Sequence, residues 1–371
     1  MNIKPYCTAP LTGLFLDVDG GIKYCCSGAR PIGNINENSL NDIYSSPKHK
    51  QLFKTIIEDG KPDDIFCQNC QSVEQGDPTV SQRYIFNTYH KIKNETQSLS
   101  WVDFRWTNQC NLSCRHCDTH FSSEWSKIRG HKIKNANRNY HETIFEEVEK
   151  NINTIKCVSV LGGEPFLQKQ NLHLLDIVSQ NKNTDVVFFT NLALKLDNNL
   201  IFKKLLTMNN NIQLMISIDC IEDQFEYVRA GADWNIVLEN LELLKSTKLY
   251  EHAFLAPVFC LWTADSFNEY YEFADKHKIK VYIQQAVQVP NFEKTFLAYG
   301  HNEKVRERLI KKLELVNREE LIAPLNQLKL DSTVENRSKD FLSNTLKVEK
   351  LVPPKKTFSE LWSELYTLLN D

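Results

Sequence analysis

Six short apolar runs, rich in β-branched and aromatic residues, recur through the middle of the chain at 101–107, 157–162, 185–191, 212–219, 254–262 and 280–287. Amphipathic stretches separate them, at 140–151, 171–180, 198–208, 234–246 and 266–277. This alternation predicts βαβ units, a parallel sheet and right-handed crossovers, hence an α/β fold. Six units are too few to close an eight-fold barrel. The first hundred residues read differently. An apolar run at 14–18, then Asp19-Gly20-Gly21, then a run at 22–26 predict a β-hairpin. Residues 38–59 carry a helical pattern on Leu40, Ile43, Leu52, Phe53 and Ile56. Beyond about residue 292 the chain reads as helical and highly charged. Val352-Pro353-Pro354 then breaks it before an amphipathic segment at 358–369, predicted to pack on the strands and helices before it.

Charge and composition narrow the class. A net charge of −3 over 371 residues gives no footprint for nucleic acid, and the basic stretch 127–138 reads as a solvated face. No apolar run reaches the ~18–20 residues that span a bilayer, and the opening MNIKPYCTAPL lacks the pattern of a secretory leader. Eleven cysteines, an odd number gathered in short-range clusters, favour metal ligation in a reducing compartment over disulfides. The expectation is a cytoplasmic protein without membrane contact.

The chemistry concentrates at Cys110, Cys114 and Cys117. Their C-x3-C-x2-C spacing puts three thiolates in one loop after the first of the six strands, at the rim where barrel enzymes place their chemistry. Iron–sulfur clusters take thiolate, and a four-iron cluster normally takes four. Zinc loops more often use C-x2-C pairs. The next cysteine along the chain is Cys157, so three thiolates leave one iron open to a small molecule, which suggests catalysis rather than electron carriage.

This loop resembles the hallmark of the radical S-adenosylmethionine (SAM) superfamily. The resemblance implies a partial (β/α)6 TIM-like barrel and a [4Fe-4S] cluster whose open iron is chelated by SAM. It also implies reductive cleavage to a 5′-deoxyadenosyl radical, with an electron donor such as flavodoxin or ferredoxin. Gly162-Gly163-Glu164-Pro165, after the second strand, is similar to the motif that holds the SAM amino group. Its glycines permit close backbone approach and its carboxylate can accept from an ammonium. Ser217 and Asp219, at alternating positions of the fourth run, resemble an element that contacts the SAM ribose or the substrate. Thr190-Asn191 resembles a T-N-G strand end, with Leu192 in place of the glycine. Arg229, set before a glycine and a helix, matches an arginine whose planar fork suits the SAM carboxylate. Residues 285–290 fall where relatives contact adenine, and Cys220 stands where relatives often have glycine. Cys220 reads as a core residue.

A second cysteine set precedes the barrel: Cys7-x12-Gly20-x4-Cys25, then Cys67-x2-Cys70 shortly before Glu74. It resembles the Twitch domain, a shortened relative of SPASM domains, here N-terminal to the barrel. The resemblance implies an auxiliary [4Fe-4S] cluster on Cys7, Cys25, Cys67 and Cys70. Cys26 adjoins Cys25 as an alternative ligand, and a zinc site would need the same ligand count. Cys157 and Cys260 lie in apolar runs and read as core. The expected organisation is a Twitch-like domain at 1–97, a radical SAM core at 98–291 and a helical extension at 292–371. Relatives with such domains often modify ribosomal peptides or proteins, which places a peptide or protein substrate ahead of a small molecule or sugar. The reading from a different class is a non-catalytic cysteine-rich iron–sulfur or zinc protein, which leaves the glycine motif and Arg229 unexplained.

Overall fold

A computed structural model describes residues 5–74, 78–89, 98–131, 139–285, 297–330 and 337–371. Each of the six apolar runs carries a strand: β4 (Trp101–Phe104), β5 (Cys157–Val160), β6 (Asp185–Thr190), β7 (Ile212–Ile216), β8 (Ala253–Leu255) with β9 (Val258–Phe259), and β10 (Lys280–Val281) with β11 (Gln284–Gln285). The hairpin adds β1 (Gly13–Leu16) and β2 (Gly21–Lys23), followed by β3 (Gly33–Asn34). The chain forms two compact units. One comprises Met1–Gln109, Ile133–Phe189 and Asn198–Gln213; the other comprises Cys110–Lys132, Thr190–Asp197 and Leu214–Asp371.

In the first unit the strands run β6-β5-β4-β1-β2-β3. The pairs from β6 to β1 are parallel and the hairpin pairs are antiparallel. Val102, Val158 and Val186 share one level of the register, and Phe104, Val160 and Phe188 the next. All six are fully buried. Each such side chain contributes about 1.5–3 kcal/mol relative to exposure. Trp106 continues this face, stacked on Phe104 at 5.0 Å, and its indole N–H donates to Asn171 Oδ1 at 2.8 Å. The hairpin turns where the sequence predicts: Asp17 N–H donates to the Gly21 carbonyl, and Gly20 takes φ +84°. β1 lies parallel to β4, with Gly13 opposite Trp101 and Leu16 opposite Phe104. Its residues are buried throughout, as a Leu-Phe-Leu run without polar alternation requires. The predicted helix over 38–59 divides into Leu40–Ser45, Pro47–Phe53 and a π turn at Lys54–Glu58. Ser46-Pro47 forces the break, and the Ser46 hydroxyl caps the second segment by accepting the His49 N–H.

The opposite face of β4 carries an acid. Asp103 is buried, with the Arg105 guanidinium 3.8 Å away, and burial raises its carboxyl to about 6 despite that cation. A folded-state value above the unfolded one favours the protonated form. The native state is therefore relatively most stable below about pH 4 and loses that advantage as pH rises through about 6. Asp103→Asn should accordingly gain thermal stability over the wild type as pH goes from 5.5 to 8, by about 1 kcal/mol. Melting curves at the two pH values check it; a constant difference would mean that Asp103 titrates normally.

In the second unit the order β10-β8-β7 is parallel throughout, and β11 pairs parallel with β9. Pro257 separates β8 from β9, and the last two residues of the fifth run open a helix, Leu261–Asp265. β7 corrects an expectation. It ends at Ile216, where the Ile218 N–H turns back onto the Ile216 carbonyl at 2.9 Å. Ser217 and Asp219 therefore do not alternate on a strand. The C-terminal region is helical, as predicted. Phe358, Trp362, Leu365 and Leu369 are buried, with Phe358 and Trp362 stacked at 5.5 Å and Phe358 against Phe341 at 5.3 Å. Among the described residues no helix is long and apolar enough to cross a membrane.

Candidate functional site

The loop Cys110–Cys117 has little regular structure, so its shape comes from side chains that satisfy its backbone. Ser123 Oγ accepts the Cys110 N–H and donates to the Cys110 carbonyl, both at 3.1 Å. The Ser122 hydroxyl donates to the Leu112 carbonyl at 2.6 Å, and the Trp125 indole to the Cys114 carbonyl at 2.8 Å. Both come from the start of the helix Ser123–Ile128. Ser113 and Arg115 pair by backbone with Ala230 and Val228. The Arg115 guanidinium stacks on Tyr227 at 4.0 Å and donates to the Val352 carbonyl at 3.1 Å, which ties the loop to the C-terminal helices. Cys114 is buried, and Cys110 and Cys117 are half-buried. Burial pushes the Cys114 thiol up, partly offset by Arg229, and holds that of Cys117 well above its usual range. An electropositive group is needed to hold these thiols as thiolates.

Polar groups converge on this loop within the same unit. Arg229 caps the helix Glu222–Val228, and its Nη1 lies 3.9 Å from Cys114 Sγ. Its Nε lies 2.8 Å from Asp219 Oδ2, with both side chains buried. Asp219 also accepts the Val258 N–H at 2.9 Å and faces His116 Nε2 at 3.7 Å. Burial pushes the Asp219 carboxyl up, but Arg229 and His116 outweigh it and hold the group below the usual range. Burial also lowers His116 to about 4. Asn191 Nδ2 donates to Asn111 Oδ1 at 2.9 Å and approaches Cys110 Sγ at 4.0 Å. Thr190 Oγ1 accepts the Leu192 N–H, and Leu192 takes φ 56°, the left-handed conformation in which glycine is at ease. The Leu192 carbonyl accepts from Asn240 Nδ2 at 2.9 Å. Ser217 is half-buried and its N–H donates to the Thr190 carbonyl. Cys220 and Cys260 are wholly buried, as expected of core residues; Cys157 is half-buried.

The glycine motif belongs to the first unit, where it lies along residues 107–109. Gly163 N–H donates to the Thr107 carbonyl and Glu164 N–H to that of Gln109, at 3.2 and 2.7 Å. Gly162 takes φ +120°, and a β-carbon at Gly163 would collide with the Gln109 carbonyl, so neither position admits a side chain. Glu164 is buried and Pro165 opens a 3-10 turn behind it. Gln109 directly precedes Cys110 in the chain.

Also in the first unit, Cys7, Cys25, Cys67 and Cys70 are all buried and line a single pocket with Tyr6, Phe66 and Arg83. Cys7 precedes the short helix Ala9–Thr12, Cys25 follows β2, and Cys67 and Cys70 sit at the start of the helix Gln68–Glu74. Two asparagines bind these segments together. Asn87 accepts from the Thr8 N–H and donates to the Tyr6 carbonyl, and Asn69 donates to the Ser27 carbonyl, all at 2.9 Å. Burial pushes Cys7 and Cys67 up to about 12. Arg83, paired with Glu74 at 2.7 Å, is the cation whose field opposes that rise at Cys7. Cys26, half-buried, faces Asp103 and Arg105 and does not line this pocket. Among the described residues no three His, Cys, Asp or Glu groups are gathered closely enough to share one metal ion; the four thiols instead surround a space.

Asn111, His116, Arg83, Asn69 and Asn87 were not foreseen. Asn111 and His116, each between two cysteines of the motif, carried a signal in their position. Residues 286–290 of the adenine expectation and 132–138 of the basic stretch lie outside the described residues.

Residues 104–274 match the sequence model of the radical SAM superfamily, and residues 7–71 match that of SPASM, an iron–sulfur cluster-binding domain. No curated protein matches the chain. Similar solved structures include native anSMEcpe with bound AdoMet (18% identity, TM-score 0.44, 67% of each chain covered). The same protein with AdoMet and the Kp18Cys peptide gives 18% identity and TM-score 0.42 over 67% of this chain and 66% of that one. TYW1 with a lysine-pyruvate adduct bound gives 16% and 0.38 over 60% and 71%. The chain thus spans about two thirds of the length of anSMEcpe.

Proposed function

We propose, from the premise that this chain is a radical SAM enzyme with an N-terminal SPASM domain, that it modifies a peptide or protein by hydrogen abstraction. Its cofactors are a [4Fe-4S] cluster, SAM and an auxiliary iron–sulfur centre. Cluster and SAM together supply reductive cleavage of the sulfonium and a 5′-deoxyadenosyl radical. The observation that carries the reading is the three-cysteine loop, with Arg229 against Cys114 and Asn191 against Cys110. We assign the cluster to Cys110, Cys114 and Cys117, and the auxiliary cluster to Cys7, Cys25, Cys67 and Cys70. The SPASM domain supports a peptide substrate, because relatives that carry it often act on ribosomal peptides or proteins. A flavodoxin or ferredoxin would supply the electron.

In this reading the chain's own groups bind and orient the amino-acid part of SAM. Glu164 receives the ammonium, with Gly162 and Gly163 keeping the backbone bare beside it. Arg229 takes the carboxylate through donors that Asp219 does not use. Ser217, Thr190 and Asn191 stand at strand ends, where short polar side chains orient a ligand without moving. Incubation with SAM and a strong reductant should release 5′-deoxyadenosine even without substrate; no release would refute SAM cleavage. Glu164→Ala and Arg229→Ala should each weaken SAM binding by about 1.5–3 kcal/mol, roughly ten- to a hundredfold. Equilibrium binding, with circular dichroism to confirm folding, measures this, and unchanged affinity in both would place SAM elsewhere. The substrate itself should emerge from comparing the peptides of cells with active and inactive protein.

A further inference from the structure

Arg229 is held at two points, and its second partner is the informative one. Its Nε is fixed by Asp219 at 2.8 Å while its Nη1 rests 3.9 Å from Cys114 Sγ. Asp219 is itself immobilised: it is wholly buried, accepts the Val258 N–H at 2.9 Å and faces His116 at 3.7 Å. Arg229 leaves the end of a short helix on a long side chain, whose many rotamers would otherwise let the guanidinium wander. An anchored carboxylate on Nε removes that freedom and aims the remaining donors.

We propose that Asp219 is a positioning residue, which holds Arg229 against the Cys114 thiolate and thereby sets the reduction potential of the cluster on that loop. The inference rests on the assignment of that cluster to Cys110, Cys114 and Cys117. Cluster potentials respond to net charge and to hydrogen bonds on the sulfurs. A guanidinium on a ligand sulfur stabilises the reduced, more negative state and raises the potential. The Asp219 charge behind it opposes that effect, and in a buried site both act more strongly than they would in water. Asp219 thus does two separable things: it contributes a charge and it fixes a position.

Substitutions separate the two. Asp219→Asn fills the same space beside Nε but loses the charge and keeps a single accepting oxygen, so the potential should rise. Asp219→Ala loses the charge and frees the guanidinium, so it should titrate below Asp219→Asn by at least about tenfold in the one-electron reduction constant, 59 mV. Asp219→Glu keeps the charge and displaces it by one methylene, so it should lower the potential through position alone; it also covers the case of an alanine variant that does not fold. The measurement is a redox titration of the reconstituted full-length chain by electron paramagnetic resonance, following the signal that SAM perturbs, alongside iron content. Asparagine and alanine variants that titrate together, or a glutamate variant identical to wild type, would overturn the inference. A Cys110→Ala/Cys114→Ala/Cys117→Ala chain that keeps its SAM-responsive signal would overturn the cluster assignment instead.

Discussion

Replacing Cys110, Cys114 and Cys117 together with alanine is expected to lower the iron content from about eight to about four per chain and to abolish 5′-deoxyadenosine formation. On the proposed assignment the loop would offer a cluster three thiols and no fourth, which would leave one iron for SAM only while all three are present. Folding should survive the change. The loop's shape comes from Ser122, Ser123, Trp125 and Arg115 acting on its backbone, and none of these contacts uses a thiol. Iron analysis and chromatography of the SAM reaction read both outcomes from one anaerobic preparation. A wild-type chain with only four irons, or with zinc, would defeat the auxiliary assignment; a triple variant that still cleaves SAM would defeat the catalytic one.

Cys67→Ala/Cys70→Ala should separate the two centres. Four thiols line the N-terminal pocket, so a cluster there would have no open iron for SAM. A folded double variant should keep SAM cleavage under strong chemical reduction, yet fail to complete turnover on the true substrate. The risk is structural, since the same pocket joins the segments around Cys7, Cys25 and Cys67. Asn87 and Asn69 supply links that do not depend on metal. Circular dichroism must therefore accompany the assay. Normal product formation by a folded double variant would show that the auxiliary centre is dispensable. Loss of SAM binding would reverse the assignment of the two centres.

The parts of this molecule legible in its sequence are those whose physics is local. The parallel strands of the first unit are mostly apolar on consecutive residues because parallel strands are covered on both faces, and that pattern survives as bare sequence. The two cysteine sets announce themselves by spacing, and Gly162 and Gly163 by an absence of side chain that their conformation and close contacts demand. The end of β7 was misplaced because Ser217-Ile218-Asp219 continues the alternation past a three-residue turn that breaks the strand. Leu192 in a left-handed conformation hides where the sequence shows an ordinary apolar residue. The partnership of Asp219 with Arg229 spans a whole helix, and that of Arg83 with Cys7 joins residues far apart in the chain. No local period records such pairs.

The parallel pairing of β1 with β4 bears on how the chain reaches its fold. Gly13 meets Trp101 only after a loop of roughly ninety residues has closed, and such distant contacts slow folding because entropy is lost before any contact repays it. The four cysteines of the N-terminal set include three, Cys25, Cys67 and Cys70, that lie within that very loop, with Cys7 just before it. A cluster assembled on them, as proposed, would shorten the free chain left to be closed and bring β1 towards its neighbour. Until then β4 offers an unpaired and largely apolar edge to any other strand in the cell. Iron supply during synthesis should thus govern not only activity but how much of the chain escapes aggregation.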